Sequence, residues 1–379
     1  MGRERYGFSC ERAVLKWILV TFIMDRPELI ALDQVARLDQ LRQTGVVFLD
    51  TYEEQLGELC AIRNPHLRGD ISALKKVQQE FIQEYRDSRD DRKQGMWVYY
   101  PWLNKAIRFL EESLHDELRT ARNKNLITAE EQEKFRDFSV AIAGLSVGSH
   151  AALSITLQGG GKYMRLADPD VISGSNLNRI RAGFDMVGMN KAVIAARGIY
   201  EMNPYAKLKL YTDGLEAMTL KNFLTEPNYV GIVIDEMDDL LLKFLIRKEA
   251  RTLGIPVIMA ADNGDGIVLT VERYDLERSL PLFGGVVEEM DESELTGLSP
   301  HEAVKIIADM IGPENVTRRM YASVAEIGKT LYSWPQLGGA AQLAGVALAY
   351  ATRMIATGGP LKSGRTAVSL EKILSFNEL

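Results

Sequence analysis

The chain has 379 residues, of which 46% are hydrophobic and 26% are charged, and its formal net charge is −7. This length and composition indicate one or two globular domains. The acidic balance argues against nucleic acid as the main partner, because phosphate binding needs a basic surface. The two cysteines, Cys10 and Cys60, exclude a disulfide framework and a four-cysteine zinc site.

Residues 1–115 are predicted to form a helical region ahead of the main domain. The apolar run "WILVTFIM" at 17–24 is too short to span a bilayer and predicts a buried helix, so we expect a cytoplasmic protein without a membrane anchor. Helical spacing marks "LDQVARLDQLRQTG" and "ALKKVQQEFIQEYRD", whereas aromatic residues surround Pro101 in "MWVYYPWLNKAIRFL". Thr128 followed by Glu131 predicts a capping box at a further helix start.

From residue 138 onward, short apolar strands alternate with helical segments. The first strand, at 138–143, precedes a glycine-rich turn, and later strands are expected at "YMRLAD", "KLKLY", "YVGIVID", "IPVIMA" and "GIVLTVER". This alternation predicts an α/β fold with a Rossmann-like, doubly wound, mostly parallel sheet. The segment "GGAAQLAGVALAYATRMIATGG" predicts a closely packed closing helix that is too polar to be transmembrane.

The turn "GLSVGS" is compatible with three interpretations. Gly144 occupies the first position of the nucleotide-binding G-x-G-x-x-G pattern, but Ser146 and Ser149 replace the other glycines. With Gly148, such a turn would still let a phosphate approach backbone N–H groups at the helix start. The same letters form the G-x-S-x-G elbow of serine hydrolases, whose later histidine would have to be His301. The third interpretation is a tight turn without a ligand.

Asp168, at the end of the next strand, favours a nucleotide site. An acid at this position can accept hydrogen bonds from a ribose hydroxyl group, as a dehydrogenase would require. A hydride-transfer enzyme would have little use for the cations that follow, Arg179 and Lys191, together with Asp238 in "VIDEMDD". Each of these residues alone could be an ordinary surface charge, and Asp238 could be a helix N-cap. The ordered set favours phosphate chemistry.

The segments "DPDVISGSNLNR", "VGMNKA" and "EMNP" resemble the ThiF/MoeB/HesA superfamily of ubiquitin-activating-like, ATP-dependent adenylyltransferases. The resemblance covers about residues 120–360 and implies that 116–379 form a ThiF-like adenylation domain. It implies a homodimer that activates the carboxylate of a small molecule, a peptide or a small β-grasp protein. ATP and Mg²⁺ are the implied cofactors. Structural zinc is not expected, because the C-x-x-C pairs of several relatives are absent.

The resemblance also implies roles for matching residues. Arg179 would contact phosphates, Lys191 would neutralise charge that develops on them, and Arg122 in "RTARN" would reach the phosphates bound by a dimer partner. Asp238 and Asp170 would place the magnesium ion. The nucleotide-contacting set, including the glycine turn, would be Gly144, Ser146, Gly148, Asp168, Asp170, Asn176 and Asp235.

Adenylation would use such a set, because a carboxylate attacks the α-phosphate, pyrophosphate leaves, and cations, metal and helix N-termini stabilise the negative charge. Since no cysteine follows Cys60, we expect the acyl group to pass to an external nucleophile. The alternatives are an NAD(H)- or flavin-linked Rossmann oxidoreductase and a nucleotide-binding module without turnover. The stretch "WVYYPW" is similar to a subgroup associated with nitroreductase-like proteins, which suggests a redox-enzyme partner.

Overall fold

The computed structural model describes residues 26–88, 90, 94–288, 290–298 and 300–375. The helix predicted at 17–24 and Cys10 lie outside the described residues. The chain divides into two compact units between Leu126 and Ile127, whereas the sequence led us to expect the boundary at 115/116. Within the described ranges, no helix combines the length and the apolar character that crossing a bilayer requires.

The N-terminal unit contains the helices predicted within 32–45 and 73–87 and, in addition, a four-stranded sheet that was not predicted from the sequence. The sheet has the strand order β1-β3-β4-β2. The helices are α1 (Val35–Gln43), α2 (Tyr52–Arg63), α3 (Ile71–Asp87) and α4 (Glu112–Thr120), and the strands are β1 (Glu28–Ile30), β2 (Val47–Leu49), β3 (Met96–Tyr100) and β4 (Lys105–Phe109). Short 3-10 turns lie at Pro65–Leu67, Pro101–Leu103 and Ala121–Asn123.

The aromatic-rich stretch around Pro101 differs from the helical expectation, because β3 and β4 form an antiparallel hairpin. Trp97, Val98 and Tyr100 of β3 are buried. Aromatic and β-branched side chains of this kind suit a pleated, half-buried surface. Pro101 begins the connecting turn, and Asn104 ends it in the left-handed region with φ of 51°. The aromatic cluster therefore belongs to the core of this sheet.

The second unit has the predicted doubly wound, mostly parallel sheet. Its strand order is β11-β10-β9-β8-β5-β6-β7. The five strands from β9 to β7 are parallel, whereas β10 and β11 pair antiparallel at the other edge. The strands are β5 (Ser139–Ala143), β6 (Tyr163–Ala167), β7 (Lys207–Tyr211), β8 (Ile232–Asp235), β9 (Val257–Asn263), β10 (Gly266–Glu272) and β11 (Gly364–Ser369). All strands predicted from the sequence are thereby confirmed.

Helices connect these strands, and α5 begins with the predicted capping box between Thr128 and Glu131. The long closing helix predicted from small residues is also present. The helices are α5 (Ala129–Asp137), α6 (Gly148–Leu157), α7 (Lys191–Met202), α8 (Leu220–Thr225), α9 (Leu240–Leu253), α10 (Glu292–Thr296), α11 (Pro300–Ile311), α12 (Arg318–Val324), α13 (Gly338–Ala356) and α14 (Leu370–Leu374). Short 3-10 turns lie at Gly174–Asn178, Phe184–Met186, Ala217–Thr219, Leu282–Gly285 and Pro313–Asn315.

Both faces of the sheet are covered by helices. Ala141 of β5 belongs to a core cluster with Phe223 of α8 and Phe244 of α9. Ile142 points the other way, because side chains alternate along a strand, and it lies against Gly148 at the start of α6. Helix α6 in turn packs against α7 and α13. The central strand β5 is therefore buried on both sides, which explains its continuous apolar sequence.

Strand β7 forms one edge of the sheet and carries two exposed lysines, Lys207 and Lys209. The Lys207 ammonium group lies 5.5 Å from the ring centroid of Tyr163, and that of Lys209 lies 5.1 Å from the ring centroid of Tyr211. Both lysine side chains are therefore exposed to solvent, and each ammonium group also lies near an aromatic ring.

Candidate active site

The predicted site residues of the second unit follow three neighbouring strands. Gly144 follows β5, Asp168 follows β6 and Asp238 lies shortly after β8. These strands are parallel and adjacent, so their carboxyl ends lie at the same edge of the sheet. Ligands of open α/β sheets bind outside the carboxyl ends of the strands. The topology thus brings together residues that are far apart in the sequence.

Gly144 makes the sharp turn at the end of β5. Its φ is +86°, and a Cβ atom at this position would lie 2.2 Å from the carbonyl oxygen of Glu236. Its N–H donates a hydrogen bond to the carbonyl oxygen of Ala167 at 2.9 Å. Any side chain here would strain the backbone and push apart the segments that follow β5 and β8. This close approach explains the glycine.

The N-terminus of α6 opens onto this turn. Val147 occupies the N-cap position, and no side-chain capping bond is present there in the described part of the chain. Gly148 and Ser149 form the buried first turn. The first N–H groups of a helix have no acceptor within the helix, so an uncapped end is suited to bind an anion.

Asp168 connects the glycine turn to the loop after β6. Its Oδ2 accepts a hydrogen bond from the Leu145 N–H at 2.7 Å, and its Oδ1 accepts one from the Asp170 N–H at 2.8 Å. Lys191 Nζ lies 3.9 Å from Asp168 Oδ1 and 2.7 Å from Asp170 Oδ2. Burial raises the pKa of Asp168, although these hydrogen bonds and Lys191 oppose the shift. The carboxylate is thereby fixed beside the turn, and its ribose contact stays a prediction.

Arg179 is fixed through both its side chain and its backbone. Its Nε donates to Ser146 Oγ at 3.2 Å, and its Nη1 donates to Asn178 Oδ1 at 3.1 Å. Its carbonyl oxygen bonds to His150 Nε2. Ser146 therefore contacts an arginine rather than a histidine, and the geometry gives no support to the serine-hydrolase interpretation.

Two carboxylates, Asp238 and Asp262, act on Arg179 through their charge. Burial lowers the pKa of Arg179, and both negative charges oppose that shift. Helix α9 is capped by Asp239, whose side chain accepts from the Leu242 N–H at 2.9 Å, and not by Asp238. Asp238 is exposed, so its carboxylate can be reached by a ligand near Arg179.

Two acids at this edge of the sheet, Asp262 and Glu236, were not predicted from the sequence, and Asp262 acts on Arg179 through its charge. Asp262, near the end of β9, accepts a hydrogen bond from Gln336 Nε2 at 3.2 Å, and burial raises its pKa to about 6. Glu236 Oε1 accepts from the Ala260 N–H at 2.7 Å, and burial raises the pKa of Glu236 to about 8. Both acids stand at the carboxyl ends of strands, the signal that identified Asp168.

We expect Glu236→Gln to stabilise the protein at high pH. The folded-state pKa of about 8 lies above the ordinary value of 4.5, so the folded state binds this proton more tightly. Stability should therefore fall as the pH rises from about 4.5 through about 8. Glutamine keeps the acceptor for Ala260 but does not ionise. We expect it to raise the free energy of unfolding by about 2 kcal/mol at about pH 8, with no gain at about pH 4.

Urea denaturation at both pH values measures this effect. The control is Asp265→Asn, since Asp265 is an exposed acid in the turn between β9 and β10. An equal effect of Glu236→Gln at the two pH values would contradict the prediction.

Asp235, predicted to contact the nucleotide, is enclosed in an ion network inside the domain. It is fully buried and pairs with Arg247 and, at 3.2 Å, with Lys243. Arg247 Nε also donates to Glu272 Oε2 at 2.6 Å. Burial disfavours the ionised form of Asp235, but the two cations outweigh it and keep its pKa below the ordinary value. Asp235 therefore pairs with two cations inside the domain, and its contact with the nucleotide stays a prediction.

Two further predicted residues lie in 3-10 turns. Asn176 belongs to the turn Gly174–Asn178, where its Oδ1 accepts from the Ser173 N–H at 3.1 Å. Arg122 belongs to the turn Ala121–Asn123 of the N-terminal unit. The nucleotide contact assigned to Asn176 and the phosphate contact assigned to Arg122 stay predictions.

The acids do not form a protein-only metal cage: within the described ranges, no three His, Cys, Asp or Glu residues are arranged to bind an ion. Mg²⁺ is commonly held by one or two carboxylates and by phosphate oxygens. Asp238 could supply such a carboxylate, whereas one oxygen of Asp170 already pairs with Lys191. A nucleotide-bound magnesium ion stays a prediction.

The chain is similar in sequence to known proteins and to a family model. The chain is 35% identical over 344 residues to an uncharacterized protein of Mycobacterium tuberculosis (strain CDC 1551 / Oshkosh), a match that covers 90% of this chain and 44% of that protein. It is 31% identical over 147 residues to the tRNA threonylcarbamoyladenosine dehydratase of Bacillus subtilis (strain 168), covering 36% of this chain and 54% of the relative. The chain thus spans about half the length of the curated relatives that it matches.

Among solved structures, E. coli MccB with MccA-N7isoASN has a TM-score of 0.47 and 14% sequence identity, with 84% of each chain covered. The model of the ThiF family matches residues 120–330, a range that covers more than half of the sequence and contains every predicted site residue. The chain therefore belongs to the ThiF family.

Proposed function

We propose that this protein uses ATP to adenylate a carboxylate and releases pyrophosphate. The observation that carries this proposal is the contact of Arg179 with Ser146 in the glycine turn, beside the uncapped N-terminus of α6. Lys191 is joined to the same turn through Asp168, whose carboxylate accepts from the Leu145 N–H. Positive groups and free N–H donors are what a polyphosphate requires. Asp168, fixed beside the same turn, supplies an acceptor for a ribose hydroxyl group.

The chemistry of these donors fits ATP. The guanidinium of Arg179 and the ammonium of Lys191 can donate hydrogen bonds to phosphate oxygens. Asp238, exposed and close enough to influence Arg179, can share a magnesium ion with those oxygens. When bound, Mg²⁺ supplies positive charge that reduces repulsion between the phosphates and an incoming carboxylate.

In the reaction, a carboxylate oxygen forms a bond to the α-phosphorus of ATP. The bond from that phosphorus to the bridging oxygen breaks, and pyrophosphate leaves with the electron pair. Arg179 and Lys191 stabilise the negative charge on the transferring and leaving phosphates. The acyl group then passes from the adenylate to an external nucleophile.

The activated carboxylate belongs to a small molecule, to a peptide, or to the C-terminus of a small β-grasp protein. The enzyme acts as a cytoplasmic homodimer, in which Arg122 of one protomer contacts phosphates bound by the other. A redox enzyme is proposed as a further partner.

Calorimetric titration with ATP and Mg²⁺, and separately with NAD and NADH, tests the choice of nucleotide. Exchange of labelled pyrophosphate into ATP, with pools of small carboxylates and peptides, then tests adenylation. We expect ATP binding and carboxylate-dependent exchange. Selective binding of NAD or NADH would assign the protein to the oxidoreductases. ATP binding without exchange in any pool would leave a nucleotide-binding module.

A further inference from the structure

His150 is a buried histidine that the proposed reaction does not use. It belongs to the first turn of α6 and is 8% exposed. Its Nε2 lies within hydrogen-bond distance of the carbonyl oxygen of Arg179. A carbonyl oxygen can only accept, so Nε2 must carry the proton in this bond. The ring thus ties the backbone of Arg179 to the helix that starts at the glycine turn.

Helix α13 packs directly against His150. A Cβ atom at Gly345 would lie 2.4 Å from the Cβ of His150, so the two helices touch at this point and leave no room for a side chain. The segment before α13 also contacts the loop of Arg179, because Asn178 Nδ2 donates to the carbonyl oxygen of Gln336 at 2.8 Å. The backbone at 178–179 is therefore held from α6 and from the α13 side.

The side chain of Arg179 depends on that backbone position. Its Nε reaches Ser146 Oγ, which lies in the glycine turn itself. A long side chain can adopt many rotamers, and fixing its backbone reduces the entropy lost when it binds a phosphate. A small displacement of such a group is costly, since a misplacement of about 1 Å can reduce catalysis about a hundredfold.

We propose that His150 is a positioning residue for Arg179: its Nε2–H holds the Arg179 carbonyl so that the guanidinium points across the glycine turn toward the nucleotide phosphates. This inference rests on the proposed function in assigning Arg179 to phosphate binding. In this role the His150 side chain acts on phosphate binding through Arg179. Its effect on ATP binding should therefore disappear when the Arg179 side chain is removed.

The test compares His150→Gln with His150→Asn in the full-length protein. The amide nitrogen of glutamine can occupy the position of Nε2, whereas that of asparagine reaches only as far as Nδ1. We expect His150→Gln to keep the Kd for ATP within about twofold, and His150→Asn to weaken it about tenfold. In the Arg179→Ala background the two variants should bind ATP equally. Thr156→Val, which removes a buried hydroxyl near the other end of α6, controls for loss of stability alone.

Calorimetry with ATP and Mg²⁺ gives the Kd values, and thermal unfolding gives the stability of each variant. Equal affinities of the Gln and Asn variants, or an equal loss in the Arg179→Ala protein, would overturn the positioning role. A wild-type protein that binds ATP without pyrophosphate exchange would instead overturn the proposed adenylation and leave the positioning role testable. A wild-type protein that does not bind ATP would overturn both.

Discussion

Arg179→Ala is expected to reduce carboxylate-dependent pyrophosphate exchange by about a thousandfold, the upper end of what one preorganised charge-stabilising donor contributes. The arginine is partly shielded from water, and burial lowers its pKa, so its interaction with a phosphate is stronger than that of an exposed arginine. Its Nε contact with Ser146 places it at the glycine turn. Loss of the guanidinium removes positive charge from the place where the leaving pyrophosphate gains negative charge. The Kd for ATP should also rise.

Arg181→Ala is the matched control, because Arg181 is exposed and lies two residues further along the same loop. It should retain exchange within about twofold, as a rim charge acts mainly through long-range attraction. Arg179→Lys should recover part of the loss by restoring the charge without the planar donor geometry. Unchanged exchange in Arg179→Ala would remove Arg179 from the reaction.

Arg247→Leu should destabilise the second unit by about 3–5 kcal/mol, the usual cost of breaking a buried ion pair on one side. Arg247 is fully buried, and its guanidinium contacts Asp235 and Glu272 and lies 3.8 Å from the ring centroid of Phe283. Leucine leaves two buried carboxylates without this counter-charge. Urea denaturation at about pH 7 measures the loss.

The control is Arg251→Leu, one turn further along α9. Arg251 is partly exposed, and its Nη1 pairs with Glu288 at 2.7 Å. An exposed pair of this kind contributes about 1 kcal/mol or less. A similar loss in the two variants would contradict the special role assigned to the buried network.

Much of the fold was predictable because its local signals agree. The central parallel strands β5, β8 and β9 are short apolar runs, and the capping box at Thr128 marks a helix start without any tertiary information. The hairpin of β3 and β4 was not predicted although Trp97, Val98 and Tyr100 favour a strand, because a proline such as Pro101 is also typical of a helix boundary.

The site was predictable where sequence and topology coincide. Asp168 and Gly144 stand directly after strands, so parallel pairing brings them together. The separate roles of Asp235, Asp238 and Asp239 could not be predicted from the sequence. Asp235 is buried, Asp238 is exposed and Asp239 caps α9, and these differences depend on how each side chain is oriented after β8. The contact of His150 with Arg179 depends on how α6 packs on the following loop, which no local pattern encodes.

The exposed lysines of β7 bear on how copies of this protein can associate. An unpaired edge strand presents backbone donors and acceptors that can template further pairing. If a second copy added its own β7 antiparallel to this one, Lys207 and Lys209 would meet the lysines of the incoming strand, and like charges across a ladder repel. Growth of the sheet beyond β7 is therefore disfavoured in this pairing, and the edge resists amyloid-like stacking.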